Sequence, residues 1–160
     1  MTRRVLLGTG AAVVVAGGAL AAGRLTGRLD DAADAVGLDP KPLPDPADTT
    51  IIGRAAFAMA GVLAAVEATA AAHADLALAG FEAIGREHLE ALGGTTASTD
   101  VAAPPTDRVE AVKVLEAVYG EAVKGRADDA ADAFSADLVQ VLASMSAGLA
   151  QCLRAIRSLR

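Results

Sequence analysis

The amino-acid sequence predicts an all-α protein, and three observations carry that prediction. More than half of the 160 residues are hydrophobic (53%), yet only 2% are aromatic and Trp is absent. Buried area must then come from Ala, Val and Leu, which let helices approach closely and suit helix better than sheet. Apolar residues recur every three or four positions in four separate stretches, the signature of one-sided helices. Alternation of β-branched and aromatic residues, which marks strands, does not extend beyond a few positions. A chain of this length suits one domain with a modest core.

The formal net charge is −6, and loss of a leader holding Arg3 and Arg4 would take it to −8. An acidic chain without a Lys/Arg cluster is repelled by phosphate backbones and anionic lipid, so nucleic acid is not an expected partner. Cys152, the single cysteine, cannot form an intrachain disulfide, so an oxidising compartment is permitted but not implied.

Residues 1–23 have a positive start, an apolar run and a small-residue ending at Ala19-Leu20-Ala21-Ala22-Gly23, the three parts of a secretory signal. Cleavage before Ala22 satisfies the A-x-A rule. Thr2-Arg3-Arg4-Val5-Leu6-Leu7 resembles the twin-arginine translocation motif, with an ordinary secretory leader as the alternative. The same stretch, Val5 to Gly23, is just long enough to remain as a transmembrane helix with the rest of the chain outside. Cleaved and anchored forms both stay open. The expected location is across the cytoplasmic membrane, in the periplasm, the cell envelope or the medium, with membrane contact only through residues 5–23. Residues 24–48 form an acidic linker in which Pro40, Pro42, Pro44 and Pro46 favour extended geometry over helix.

Residues 49–160 read as helices over about 49–72, 75–92, 106–132 and 136–159. Asp48 or Thr49 can cap the first, whose apolar face runs Ile52, Ala56, Met59, Leu63, Val66, Ala70. Arg54 and Glu67 bracket too few apolar residues for this helix to cross a membrane. A turn is expected near His73–Asp75, or else at Gly80. The second helix carries Leu78, Phe81, Ile84, His88 and Leu92 and stops at Gly93-Gly94. After the loop 93–105, Thr106 caps a third helix marked by Val109, Val112, Leu115, Tyr119 and Val123. Ser135 caps the fourth, whose Leu138, Leu142, Met145, Leu149, Cys152, Ile156 and Leu159 make the cleanest heptad in the chain. Short, long and short connections describe two helical hairpins in an antiparallel four-helix bundle.

This layout resembles the ferritin-like superfamily, and most closely an exported branch of unknown function with a leader, a proline-rich tether and a small bundle. The runs that carry the resemblance are Leu63-Ala64-Ala65-Val66-Glu67, Arg86-Glu87-His88-Leu89-Glu90-Ala91-Leu92-Gly93 and Leu142-Ala143-Ser144-Met145-Ser146-Ala147, within residues 50–159. The resemblance implies a di-metal site of two Glu and two Glu-x-x-His pairs. Here Glu67, Glu82 and Glu116 or Glu121 could supply carboxylates. Gly85 stands where the first His is wanted, and Leu149-Ala150-Gln151-Cys152 replaces the last pair. The site is therefore degenerate.

His73 and His88 are too far apart along helices to share a metal. His88 is expected as a core histidine bonded to a polar neighbour, and His73 as a turn or cap residue. Glu67, the only acid between residues 49 and 74, needs a partner if buried; Tyr119, Arg54 and His88 are the candidates. A polar pocket of Glu67, Glu82, Glu116 and Tyr119 is left open. Cys152, at a heptad core position, is expected to be inert. With no Ser/His/Asp order, phosphate-cradling loop or CxxC pair, the chain is expected not to be an enzyme, with no catalytic, cofactor-binding or metal residues and no cofactor. The expected role is a non-catalytic module that binds a protein partner or itself. A degenerate metal or redox protein and a small-ligand carrier are the alternatives.

Overall fold

The computed structural model describes residues 45–94 and 101–160. The expected signal or anchor (1–23), most of the linker, and part of the loop before the third helix lie outside these residues. Every regular element among the described residues is an α-helix: α1 (Pro46–Ala72), α2 (Ala79–Ala91), α3 (Arg108–Asp132) and α4 (Ala136–Arg157).

Helix α1 begins three residues before the expected position 49, so its first turn takes in the end of the expected linker. Pro46 opens the helix rather than forbidding it, because a proline at the first helical position gives up an amide that has no intrahelical partner anyway. Asp45, not Asp48 or Thr49, is the cap, its carboxylate accepting the Ala47 amide at 2.8 Å. Helix α3 likewise starts one cap later than expected. Asp107, rather than Thr106, accepts the Glu110 amide at 2.9 Å. Ser135 caps α4 through Leu138, and Gly93 and Gly94, with φ of 89° and 72°, close α2. The connection from His73 to Leu78 is longer than a tight turn because Leu76 and Leu78 are themselves buried in it, so α2 starts at Ala79 instead of 75.

The most extensive packing joins α3 to α4, and α1 packs on both α2 and α3. Asp48 meets Phe134 and Ser135, Arg54 meets Asp129, and Asp75 meets Arg108. Early residues of α1 thus pair with late residues of α3 and the reverse, so these two helices run in opposite directions along their whole length. The common core includes Met59, Val66, Leu115, Tyr119, Leu142 and Leu149. The core face of α1 is rotated from the expected stripe. Ile51, Ala55 and Val62 are buried, whereas Ile52, Leu63 and Ala70 are half-buried. The cause is that α1 serves two neighbours, with Leu63 turned to α2 at Gly85.

Asp48 is fully buried. Its two carboxylate oxygens accept the Phe134 amide at 2.8 Å and the Ser135 amide at 3.0 Å, pinning the start of α4 to α1. Burial alone would raise its pKa, but those amides and the Ser135 side chain together hold it below the ordinary 3.8. Replacing Asp48 by Ala strands two donors and is expected to cost about 1–3 kcal/mol at pH 7. Because the folded pKa is the lower one, the contribution is complete above about pH 3.8 and is lost as pH falls through the folded value. Urea melts of wild type and Asp48→Ala at pH 7 and in acid should show the gap narrowing on acidification. A gap that is constant with pH would contradict the assignment.

Candidate functional site

Arg86, on the outer side of α2, holds two of the carboxylates named from sequence. Its Nη2 donates to Glu67 Oε1 at 2.7 Å across to α1 and to Glu82 Oε2 at 3.1 Å one turn back on its own helix. Glu67 is 46% exposed. It is a surface ion-pair residue rather than a core carboxylate, and its partner is none of Tyr119, Arg54 or His88. The reason is helical phase: Val66 takes the core position and turns Glu67 toward α2. Glu116 stands apart. One oxygen accepts from Arg160, next to the end of α4, and the other, Oε1, is buried without a hydrogen-bond partner. Glu121 is exposed.

Tyr119 is 1% exposed and meets the Phe81 ring edge-on, with centroids 6.2 Å apart. Burial pushes its phenol upward, with the Cys152 thiol a lesser contributor, and burial does the same to Cys152. Both stay neutral at any ordinary pH. Arg86 thus brings Glu67 and Glu82 together, whereas Glu116 pairs with Arg160 and Tyr119 packs on Phe81. Among the described residues, no three His, Cys, Asp or Glu side chains are placed to hold a metal ion.

His73 closes α1, and its Nε2 lies 2.7 Å from the Pro105 carbonyl, tying the segment before α3 to the end of α1. His88 lies against Gly148 of α4. Its Nδ1 is buried and lacks the polar partner that the sequence suggested.

The strongest buried polar constellation was not singled out from sequence. Arg126 and Asp129 are 3% and 2% exposed, one turn apart on α3. Arg126 Nε donates to Asp129 Oδ2 at 2.9 Å, and its Nη1 donates to the Ala55 carbonyl at 3.3 Å. Arg54 Nε donates to the other oxygen, Oδ1, at 2.8 Å. One buried carboxylate is thus shared by two guanidiniums from two helices. The signal was present, since Val112, Leu115, Tyr119, Ala122, Arg126 and Asp129 continue one 3,4,3,4,3 spacing. A charged residue on that stripe implies a buried pair.

Between α1 and α3 an open groove of about 490 Å³ is lined by small residues, among them Ala58, Gly61, Ala65, Ala117 and Gly125, with Val101 and Glu121 also contributing. Tyr119 is not part of it. Phe57, the residue before Ala58 on α1 and not itself in that lining, is 60% exposed. By length and composition α1 and α4 could each cross a bilayer, a test that the core helices of a soluble bundle also meet.

None of the protein-family models, curated proteins or solved structures compared with this chain matches it.

Proposed function

We propose that this protein is an exported or membrane-anchored helical bundle of ferritin-like arrangement that works by contact with a protein partner or with itself, and not by catalysis. The observation that carries this reading is the surface of α1. An apolar helix whose core side is fully used still presents Phe57 and a groove of small residues to solvent, the kind of apolar surface that marks an interaction site. The ferritin-like arrangement is supported by connectivity. The α1–α2 and α3–α4 hairpins are joined by one long connection, and α1 runs opposite to α3, the pattern of a bundle with a single crossover. The export reading rests on the leader-like residues 1–23.

Light scattering and cross-linking of the purified protein, with capture from cell-envelope extract, test the contact. Phe57→Ser is expected to weaken association while changing stability by no more than about 0.5 kcal/mol, as for other surface positions. A strict monomer that captures nothing would end the proposal. Fractionation with N-terminal sequencing of the mature chain tests export, and recovery of intact protein from the cytoplasm alone would refute it. A second reading, a carrier of a small apolar ligand, is favoured by the groove itself. It requires a ligand that still binds the Phe57→Ser variant and is excluded by a bulky residue at Gly61.

A further inference from the structure

Helix α2 is the most lightly held element of the described fold. Gly85 is its only fully buried residue, while Leu78 and Leu92 anchor its two ends. Past Leu92 the backbone passes through Gly93 and Gly94, both left-handed, positions that absorb rotation at little steric cost. The middle of α2 is seated by Gly85 against Leu63, by the outer Arg86 ion pairs, by Phe81 against Tyr119, and by His88 against Gly148.

The last of these contacts is made by a titratable ring whose Nδ1 has no polar partner. A Cβ at position 148 would lie 3.5 Å from His88 Cε1 and Nε2, ordinary van der Waals distance, so the imidazole sits directly over the Gly148 backbone. Nδ1 is buried with no partner, whichever tautomer the ring adopts. Among the described residues, no ion pair engages it. Helix α1 has no charged residue between Arg54 and Glu67, α4 has none between Asp137 and Arg154, and α3 has none between Glu116 and Glu121. The titratable groups with buried atoms on α3 and α4 are Tyr119 and Cys152, both held neutral by burial, Glu116, which accepts from Arg160, and Arg126 with Asp129, which are paired with each other and with Arg54. On α2 itself, Glu87 and Glu90 are exposed, and one- and two-residue spacings put them off the His88 face. Arg86, Glu82 and Glu67 are engaged with one another.

We propose that α2 is an acid-sensitive cover: protonation of His88 unseats the middle of the helix from α4 and opens the core at Gly148 and Tyr119, while the ends stay anchored. Burial already depresses the His88 pKa below the ordinary 6.5. The closed form therefore binds its proton less readily than the open one. Closure is fully favoured above about pH 6.5, and between that value and the lower closed-state pKa the open population rises about tenfold per pH unit. This inference does not depend on the proposed function.

Tyr119, the only tyrosine in a chain without tryptophan, is a built-in reporter because its ring touches α2. The full chain is followed from pH 7.5 to 4.5 by near-ultraviolet circular dichroism, by NMR titration of both histidines, and by amide exchange corrected for intrinsic rates. The expected result is a His88 midpoint below 6.5, loss of α2 protection by about tenfold per pH unit with α3 and α4 unchanged, and a Tyr119 signal that falls in step. His88→Leu should abolish the change, and His73→Asn should leave it. A His88 midpoint at or above 6.5, α2 protection that is constant with pH, or a transition surviving in His88→Leu would each overturn the proposal. If His88→Leu does not fold, the wild-type titration and exchange decide alone.

Discussion

Replacing Asp129 by Ala is expected to destabilise the fold by about 3–5 kcal/mol, the range for breaking a buried ion pair from one side. The carboxylate is the shared acceptor for Arg54 and Arg126, and Arg126 is 3% exposed. Without Asp129 its guanidinium keeps only the Ala55 carbonyl as acceptor, a buried charge left without its counter-ion. A loss of that size is a large part of the 5–15 kcal/mol that holds an ordinary domain. Urea unfolding of the variant measures it, with Asp132→Ala as control. Asp132 is 65% exposed and only 3.5 Å from Arg54, so its removal should cost under about 0.5 kcal/mol. Replacing the buried pair together, Arg126→Met with Asp129→Leu, should restore most of the loss, because an apolar pair leaves no stranded charge. A single-variant cost under about 1 kcal/mol would mean that the charges are hydrated.

Tyr119→Ala is the second large effect, about 3–5 kcal/mol. Its ring is the largest fully buried side chain of the described core, and its loss leaves a cavity at the one place where α2 and α3 touch through aromatic rings. Tyr119→Phe keeps the volume and should cost under about 1.5 kcal/mol. Equal losses for the two would assign the effect to the hydroxyl instead of packing.

The helical class and the core of α4 were legible because they rest on periodicity alone. Leu138, Leu142, Met145, Leu149, Cys152 and Ile156 are all buried as their heptad predicts. Periodicity failed where one helix serves two neighbours, as on α1, and where a face ends. Val109 reads as apolar side and is 42% exposed, one residue into the first turn of α3. Polar roles were less legible, because a carboxylate's partner is set by tertiary register and not by its neighbours in sequence. Asp48 reads as a cap for its own helix and in fact caps the turn into α4, 86 residues away. Glu67 reads as an inward acid and meets an arginine 19 residues on. The Arg126–Asp129 pair is hidden for another reason: a stripe traced through apolar residues alone stops short of the charged residues that complete it.

The pairing of α1 with α3 has a consequence for synthesis. Helix α1 packs on α2, which follows it directly, and equally on α3, made roughly 60 residues later, and at about 5–20 residues per second the ribosome takes several seconds to supply that second half of its cover. Arg126 and Asp129 close on each other within one helical turn and need no help from the N-terminal half. The C-terminal hairpin can therefore assemble as soon as it emerges, whereas α1, the most apolar of the described helices, stays half-covered until α3 arrives. A nascent chain halted before residue 108 should be a strong chaperone client, and one extended through residue 157 should not.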